Sequence, residues 1–506
     1  NPHPFPLSDA VSAEISLPPE VSAFEITDEN GNVLPHETLG LGAQELINTT
    51  LDPAGFRSAI GMVNEGRVTG LGVRAFDVRR DGSTAHLEVI FAEGDPDKAV
   101  WERGAQAIQA LLDDPAITAF HARARTADLA RVIFTAPAVP GLGWRACYVR
   151  QKKAASAPVT LSRLTRAALL LVGRIASSPV GQSLLARLQT DPADKPPYVI
   201  ENEFFKVEIE PAGTLAIFDK RTKTLYGGMN RFVDGGDCGD EYNYSPPSVD
   251  LRTVSRLKSS SVHHGAVRQT LTLDLALKTP ACLSADRKSR SRETVEIPIK
   301  SVVTLTRGVP RVDVHTEIDN TARDHRLRVH FPTPFNVEEI DYDGHFEISC
   351  RKIGLPAFDR KTWVEDPRPE VPQRAFTEIS EENRGLTLAN RGLPEVEVVG
   401  ARSLQTSQSK TSHSETIEIA LTLLRCVGWL SRDDFQTRRD HAGPHLETPG
   451  AQMPGKWGFD YSIIPHIGQK HILPHVQAYA FETPLRAAAT SLHARILPEQ
   501  GSFVAV

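Results

Sequence analysis

Phe205-Lys206-Val207-Glu208-Ile209, then Pro211-Ala212-Gly213, then Leu215-Ala216-Ile217: the reading of this stretch decides the fold class. Successive side chains of a strand point to opposite faces, so Phe205, Val207 and Ile209 line one face while Lys206 and Glu208 line the other. Pro211-Ala212-Gly213 reverses the chain, and the alternation resumes at Leu215 and Ile217. That order predicts a β-hairpin with one buried face. Val312, Val314, Thr316 and Ile318 repeat the pattern and stop at the turn-forming Asp319-Asn320. Similar text, punctuated by Gly and Pro, fills most of the chain after Tyr198, which predicts packed β-sheets. No repeat with a period of about 20–50 residues is visible, which argues against a propeller or solenoid.

Upstream the pattern changes twice. Residues 1–150 mix short alternating segments, such as Ala13 to Leu17 and Ala85 to Phe91, with one helix. In that helix Trp101, Ala105, Ile108 and Leu112 form a single apolar stripe. Asp95 and Asp97 stand near its start, where negative charge is favourable. Residues 151–197 read as a linker followed by a helical segment with a stripe of Leu161, Leu164, Ala168, Leu171 and Ile175. Ser178-Pro179 ends that segment, because a residue before proline avoids helical angles. The expected organisation is therefore a small β domain with an α-containing insertion over 1–150, a linker and helix over 151–197, and a large β domain over 198–506. Three parts suit 506 residues at about 100–200 residues per domain.

Composition narrows the function classes. Hydrophobic residues make up 40 % and the formal net charge is -6, so the chain has ample core and lacks the basic excess of a nucleic-acid or anionic-membrane binder. The longest apolar run, Ala167 to Gly173, falls short of the roughly 20 residues a membrane helix needs. The five cysteines (Cys147, Cys238, Cys282, Cys350 and Cys426) are scattered, odd in number and without a CxxC pair. That spacing argues against a disulfide framework or a thiolate zinc site and fits a reducing cytoplasm. There is no Walker loop, no GxGxxG, no HExxH and no GxSxG.

Two polar clusters remain. The first is Asp234-Gly235-Gly236-Asp237-Cys238-Gly239-Asp240-Glu241-Tyr242-Asn243-Tyr244-Ser245-Pro246-Pro247. Carboxylates accept hydrogen bonds from sugar hydroxyls, and a tyrosine face covers the C–H side of a sugar ring. A solvated acidic turn is the plainer alternative, and a calcium loop a third, although the EF-hand spacing and its final glutamate are absent. The second cluster runs from Ser431, Arg432, Asp433 and Asp434 through Arg438, Arg439, Asp440 and His441 to Glu447. Loops longer than about 12–15 residues are usually functional or disordered; a surface ion-pair network is the alternative. His441 and His445 flank Gly443-Pro444 and do not share a helix face; with His466, His471 and His475 they read as structural or surface histidines.

Several of these stretches carry a family resemblance. The opening Asn1-Pro2-His3-Pro4-Phe5-Pro6 resembles the "FNP" start of the β region of glycoside hydrolase family 38, the family of α-mannosidases and bacterial mannosylglycerate hydrolases. Ile200 to Val207 resembles the family's "IENEFFRV" strand. Asp219 to Thr222, Arg231 to Asp234, Asp324 to Arg328, Arg384 to Pro394 and Glu447 to Gln452 follow in the same order.

The resemblance implies a fold that is mainly β: a small β-sandwich domain with an α-containing insertion, then a large mutarotase-like β supersandwich. It also implies a zinc-dependent retaining α-mannosidase in the parent enzyme, with an aspartate nucleophile and a second carboxylate as acid and base. In the family those groups and the zinc ligands precede the "FNP" point. No catalytic residue and no bound metal are therefore expected in this chain, which is expected to be inactive alone and to partner its own N-terminal catalytic domain and a mannose-containing sugar. Homo-oligomerisation stays open. The missing initial Met and the stop at Ser502 to Val506 lead to the expectation of a processed chain or fragment.

Within the resemblance, Tyr242 falls where family α-mannosidases place a substrate-contacting tyrosine. Asp240 and Glu241 replace the small residues of the animal enzymes and look like the bacterial branch. Arg432 and Asp433 fall near a second loop facing the sugar. The substrate-binding set is therefore Tyr242, Asp240, Glu241, Arg432 and Asp433. A free-standing carbohydrate-binding or scaffold protein is the alternative of another class. An epimerase using His330 or His345 with Glu347 is a third.

Overall fold

The computed structural model describes residues 1–17, 21, 23–68, 70–152, 198–400, 417–468, 472–490 and 497–504. The helical segment expected within 151–197 lies outside the described residues; at the start of that range Gln151 ends a strand. Two compact units divide the chain: Asn1–Ala157 with Leu485–Val506, and Pro158–Pro484.

In the first unit, strand Asp128–Val139 lies between Leu7–Leu17 and His36–Gly42 in an antiparallel sheet. A second small sheet joins Tyr148–Gln151, Phe24–Thr27 and Val33–Leu34. Between these parts of the chain sits the insertion. Its five strands are ordered Glu45–Leu51, Ala119–Thr126, Thr84–Glu93, Leu71–Asp81, Arg67–Val68. Thr84–Glu93 and Ala119–Thr126 run parallel, which requires a crossover; helix Lys98–Leu112 supplies it. The helix begins where the sequence indicates, because the Asp97 side chain caps it by accepting the Val100 N–H at 3.1 Å. A shorter helix, Pro53–Ile60, is capped in the same way by Asp52. Its Phe56 stacks on Phe120 with ring centroids 4.4 Å apart, beside buried Leu87 and Ile117.

The chain's end departs from the expected 198–506 domain. Leu485–Val506 groups with the first unit. Gln500–Ser502 pairs antiparallel with Gly143–Arg145, Trp144 Nε1 donates to the Pro498 carbonyl at 3.0 Å, and the Trp144 and Phe503 rings lie 4.6 Å apart. Such a pairing spans more than two thirds of the chain and leaves no local pattern to read.

The second unit is the large sandwich. The hairpin forms as the alternation predicts: Phe205–Ile209 pairs with Leu215–Asp219, Ile209 opposite Leu215. Gly213 turns with φ +87°, a left-handed angle that favours glycine. Phe205, Val207, Leu215 and Ile217 are fully buried. This hairpin belongs to a four-stranded sheet; a six-stranded and a nine-stranded sheet complete the unit. Every pairing between its named strands is antiparallel. Phe232, Leu327, Val329 and Leu421 of the six-stranded sheet share one core with Leu273, Ile299, Val314 and Leu388 of the nine-stranded sheet and with the hairpin's apolar face. Helix Ile472–Glu482 covers a separate cluster, placing Ala478 and Phe481 against Phe376, Ala389 and Ile464.

Candidate functional site

Both polar clusters leave the same end of the six-stranded sheet. Strand Arg231–Gly236 and strand Ile417–Cys426 flank His325–Thr333, with Gly236 and Cys426 both opposite His325. The segments that follow these ends are therefore neighbours, although some 190 residues of sequence separate them.

The acidic cluster splits into a buried part and an exposed part. Asp234, Asp237 and Asp240 have at most 1 % of their surface exposed. Each meets an arginine: Asp234 meets Arg290 at 2.7 Å, Asp237 meets Arg425 at 2.9 Å, and Asp240 meets Arg438. Asp234 also meets the buried His325 ring at 2.5 Å and accepts the Thr279 hydroxyl. Burial resists the charge on His325, yet the facing Asp234 carboxylate wins and raises its pKa to about 10. Burial dominates at Asp237 and pushes its carboxyl upward against the pull of Arg425. At Asp240 burial also opposes ionisation. The Arg438 hydrogen bond and the N–H groups of Arg432 and Asn243 outweigh it and hold the carboxyl below the usual range.

Asp240 builds the turn. Its carboxylate accepts the Tyr242 and Asn243 N–H groups at 3.0 and 2.9 Å, and its own N–H donates to the Asn243 carbonyl at 3.0 Å. Its other oxygen accepts the Arg432 N–H at 2.8 Å. Both oxygens are thus engaged inside the protein, and the two residues at the tip of the turn, Glu241 and Tyr242, are turned to solvent. Tyr242 is 54 % exposed. Its ring lies over Gly443, where a β-carbon would come within 2.8 Å of the hydroxyl.

The second loop is anchored to the first. Glu241 N–H donates to the Trp429 carbonyl at 3.1 Å, and Arg425 donates to the Asp240 and Glu241 carbonyls. Ser431 Oγ accepts the Ala442 and Gly443 N–H groups, closing the loop on itself. Arg432 is held by Asp434, with Nε to Oδ1 at 2.7 Å, and its guanidinium sits 4.7 Å from the Trp429 ring centroid. That bond raises the Arg432 pKa and lowers that of Asp434. Asp433 is exposed and 3.5 Å from His441. His445 stacks on Trp429 at 4.5 Å, with the two rings 10° from parallel.

The structure therefore brings together the two loops that carry the five sequence-designated residues but gives those residues different surroundings, and it withdraws Asp240 from the expected substrate-binding set, because both its oxygens are engaged inside the protein. Tyr242, Glu241 and Asp433 face solvent, Arg432 is half-buried, and Asp240 is the buried anchor. Sequence reading missed Trp429, Arg425 and the anchoring role of Arg438. An arginine's partner is invisible when it lies 188 or 198 residues away, as for Asp237–Arg425 and Asp240–Arg438. The family-like stretches Asp324 to Arg328 and Glu447 to Gln452 also meet: the Gln452 side chain accepts the Asp324 N–H at 2.8 Å and donates to its carboxylate at 2.7 Å. The alternative histidines lie elsewhere. His330 is buried and paired with Glu418 at 2.9 Å, while His345 and Glu347 are exposed in the turn before Ile348–Lys352. Among the described residues no three His, Cys, Asp or Glu side chains are arranged to hold a metal ion, and no helix is long and apolar enough to cross a membrane. None of the five cysteines is joined in a disulfide.

Comparison with known proteins adds the family. Residues 200–429 match the model described as "Glycosyl hydrolases family 38 C-terminal domain". A putative mannosylglycerate hydrolase of Halalkalibacterium halodurans is 28 % identical over 303 residues, covering 56 % of this chain and 30 % of the relative. An α-mannosidase from Enterococcus faecalis V583 superposes with a TM-score of 0.63 at 20 % identity, covering 98 % of this chain and 46 % of the other. A glycosyl hydrolase family 38 protein from Enterococcus faecalis gives 0.62 at 19 % identity, covering 98 % and 47 %. At such identities the superpositions speak for the fold, and the chain spans about half of these structures or less of the curated relative. The β architecture, the ordered motifs and the family match together support a glycoside hydrolase family 38 C-terminal region over residues 200–429.

Proposed function

We propose that this chain is the sugar-facing β portion of an enzyme that cleaves α-mannosides. The observation that carries the reading is the Asp240 turn, which buries its own carboxylate and presents Glu241 and Tyr242 beside the Trp429–Glu447 loop. Tyr242 offers a ring face and a hydroxyl, Glu241 and Asp433 accept sugar hydroxyls, and Arg432 donates from a position fixed by Asp434 and Trp429. The relatives named α-mannosidase and putative mannosylglycerate hydrolase point to mannosides.

The nucleophile, the acid–base carboxylate and the zinc of the retaining mechanism belong, in this reading, to an N-terminal catalytic domain. Among the described residues no three His, Cys, Asp or Glu side chains are arranged to hold a zinc ion. The work of this chain is to bind and orient the sugar and to brace that domain. A reducing, cytoplasmic setting accords with the absence of disulfides.

In the full-length protein, Tyr242→Phe should lower kcat/KM for an aryl α-mannoside about tenfold, the size of one lost hydrogen bond. Unchanged kinetics would refute the site. Robust turnover of the same substrate, with zinc, by the isolated 506-residue chain would refute the division of labour.

A further inference from the structure

Helix Ile472–Glu482 covers a group of buried ionisable side chains that the sugar reading does not use. The sheet beneath it supplies Glu378, on strand Phe376–Glu381, and His466, on strand Gly455–Ile467; the helix supplies His475. The side chain of Glu378 is wholly buried, that of His466 is 6 % exposed and that of His475 is 15 % exposed. Glu378 Oε2 meets His475 Nε2 at 2.5 Å. Its other oxygen, Oε1, stands 3.6 Å from His466 Nε2 and has no hydrogen-bond partner. Neither nitrogen of the His466 ring makes a hydrogen bond of ordinary geometry, and the hydroxyl of Thr387, opposite Glu378 in the strand pairing, makes none.

The sequence prepares this arrangement. Gly385, on strand Arg384–Asn390, lies opposite His466. A β-carbon at Gly385 would collide with the His466 ring, so the missing side chain lets the imidazole lie across that strand toward Glu378. His475 is fixed from the other side by stacking on Phe376 at 4.4 Å. Further along the helix the anchors do not involve a histidine. Tyr479 donates to Asp343 Oδ1 at 2.8 Å, Arg391 Nε donates to the Phe481 carbonyl at 2.8 Å, and Ala478 and Phe481 pack on Phe376, Ala389 and Ile464.

One carboxylate balances one imidazolium. A second proton on the two rings would leave a net positive charge in a buried cluster, and a buried charge is costly unless it is paired. The charged groups that act on His466 are Glu378, which favours its protonation, and His475 and Arg221, which oppose it. Asp341 lies opposite Glu378 in the neighbouring strand Glu339–Asp343. Burial is the largest influence and lowers the His466 pKa from 6.5. Lifting the helix takes His475 away and admits water, so the open state accepts the proton that the closed cluster resists. The closed state is therefore fully favoured above about pH 6.5 and loses ground as pH falls below it.

We propose that Glu378, His466 and His475 form a proton-operated latch, which holds helix Ile472–Glu482 on the nine-stranded sheet and loosens it when a second proton enters the cluster. The latch does not depend on the α-mannoside reading. Histidine suits the task because its charge changes between about pH 5 and pH 8. The test is amide hydrogen exchange of the 506-residue chain at about pH 7.5 and about pH 5.5, corrected for the intrinsic pH dependence of exchange. Protection of the helix amides should fall about tenfold at the lower pH, while the Phe205–Asp219 hairpin keeps its own. In His466→Gln and in His475→Gln the fall should shrink to less than about twofold, because a single imidazole remains to share the carboxylate. Unchanged helix protection in the wild type, an equal fall in His466→Gln, or a fall shared by the hairpin would overturn the latch. Should neither variant fold, NMR titration of the His466 ring in the wild type decides: a midpoint below 6.5 supports the latch, and one at or above 6.5 overturns it.

Discussion

Asp240 and Glu241 are adjacent acids in one polar cluster, yet they live in opposite physical regimes. Asp240 is fully buried, faces Arg438 and accepts backbone N–H groups from three residues. Glu241 is exposed, and its side chain stands at the tip of the turn that Asp240 creates. The same division separates Arg438 from Arg432: the first is fully buried against Asp240, the second keeps a small part of its side chain at the surface and pairs with exposed Asp434. A charge withdrawn from water must be matched within the protein, whereas a charge at the rim is matched by solvent and stays available to a ligand. The cluster is therefore two devices, a foundation and a presenting edge.

Removing one partner of the foundation should have the largest effect. Arg438→Met leaves the Asp240 carboxylate buried and unpaired, and should cost about 3–5 kcal/mol in urea unfolding. A loss under about 1 kcal/mol would erase the distinction from the rim.

The pH dependence sharpens the comparison from two sides. Asp240 has a lowered pKa in the fold. Its contribution is therefore complete above the ordinary carboxylate value near 3.8 and fades as pH falls toward the depressed folded value. Asp240→Asn should flatten the acid limb of the urea midpoint below about pH 4; an unchanged slope would mean the charge is already solvated. His325 runs the other way. Its folded pKa is raised from 6.5 to about 10, so its contribution is full below pH 6.5 and is lost as pH rises through about 10. Nitrogen-15 NMR of the ring at pH 8 should show the doubly protonated form. A neutral tautomer there would break the Asp234–His325 pairing as described.

At the rim the effects on folding should be small. Asp434→Asn releases Arg432 but should cost less than about 1 kcal/mol, and that cost should shrink in high salt. Gly443→Ala should alter stability by no more than about 0.5 kcal/mol. Its methyl group meets the Tyr242 hydroxyl, so the ring must move and sugar affinity should drop. A large folding defect with intact sugar affinity would invert the assignment of foundation and edge.

Much of the architecture was legible in the sequence, because local chemistry sets it. The alternation around Pro211-Ala212-Gly213 predicts a hairpin that forms in that register. The Trp101-to-Leu112 stripe marks the helix of the insertion, and Asp97 caps it. The ordered motifs from Ile200 onward point to the family that the comparisons support. The return of residues 485–506 to the first unit was not legible, since Trp144 and Pro498 meet through contacts between distant residues.

The candidate site divides along the same line. By itself the sequence determined where the polar clusters lie, which residue types they offer a sugar, and that glycines flank them. Only the tertiary structure decided that Asp240 holds the turn while Glu241 and Tyr242 face outward, and that Trp429 and His445 stand beside them. Alternation, turns and caps act between residues a few positions apart, so a string of letters displays them. Burial and its matching charges depend on which distant strands end side by side, and here strands flanking His325 bring Arg425 and Arg438 to Asp237 and Asp240.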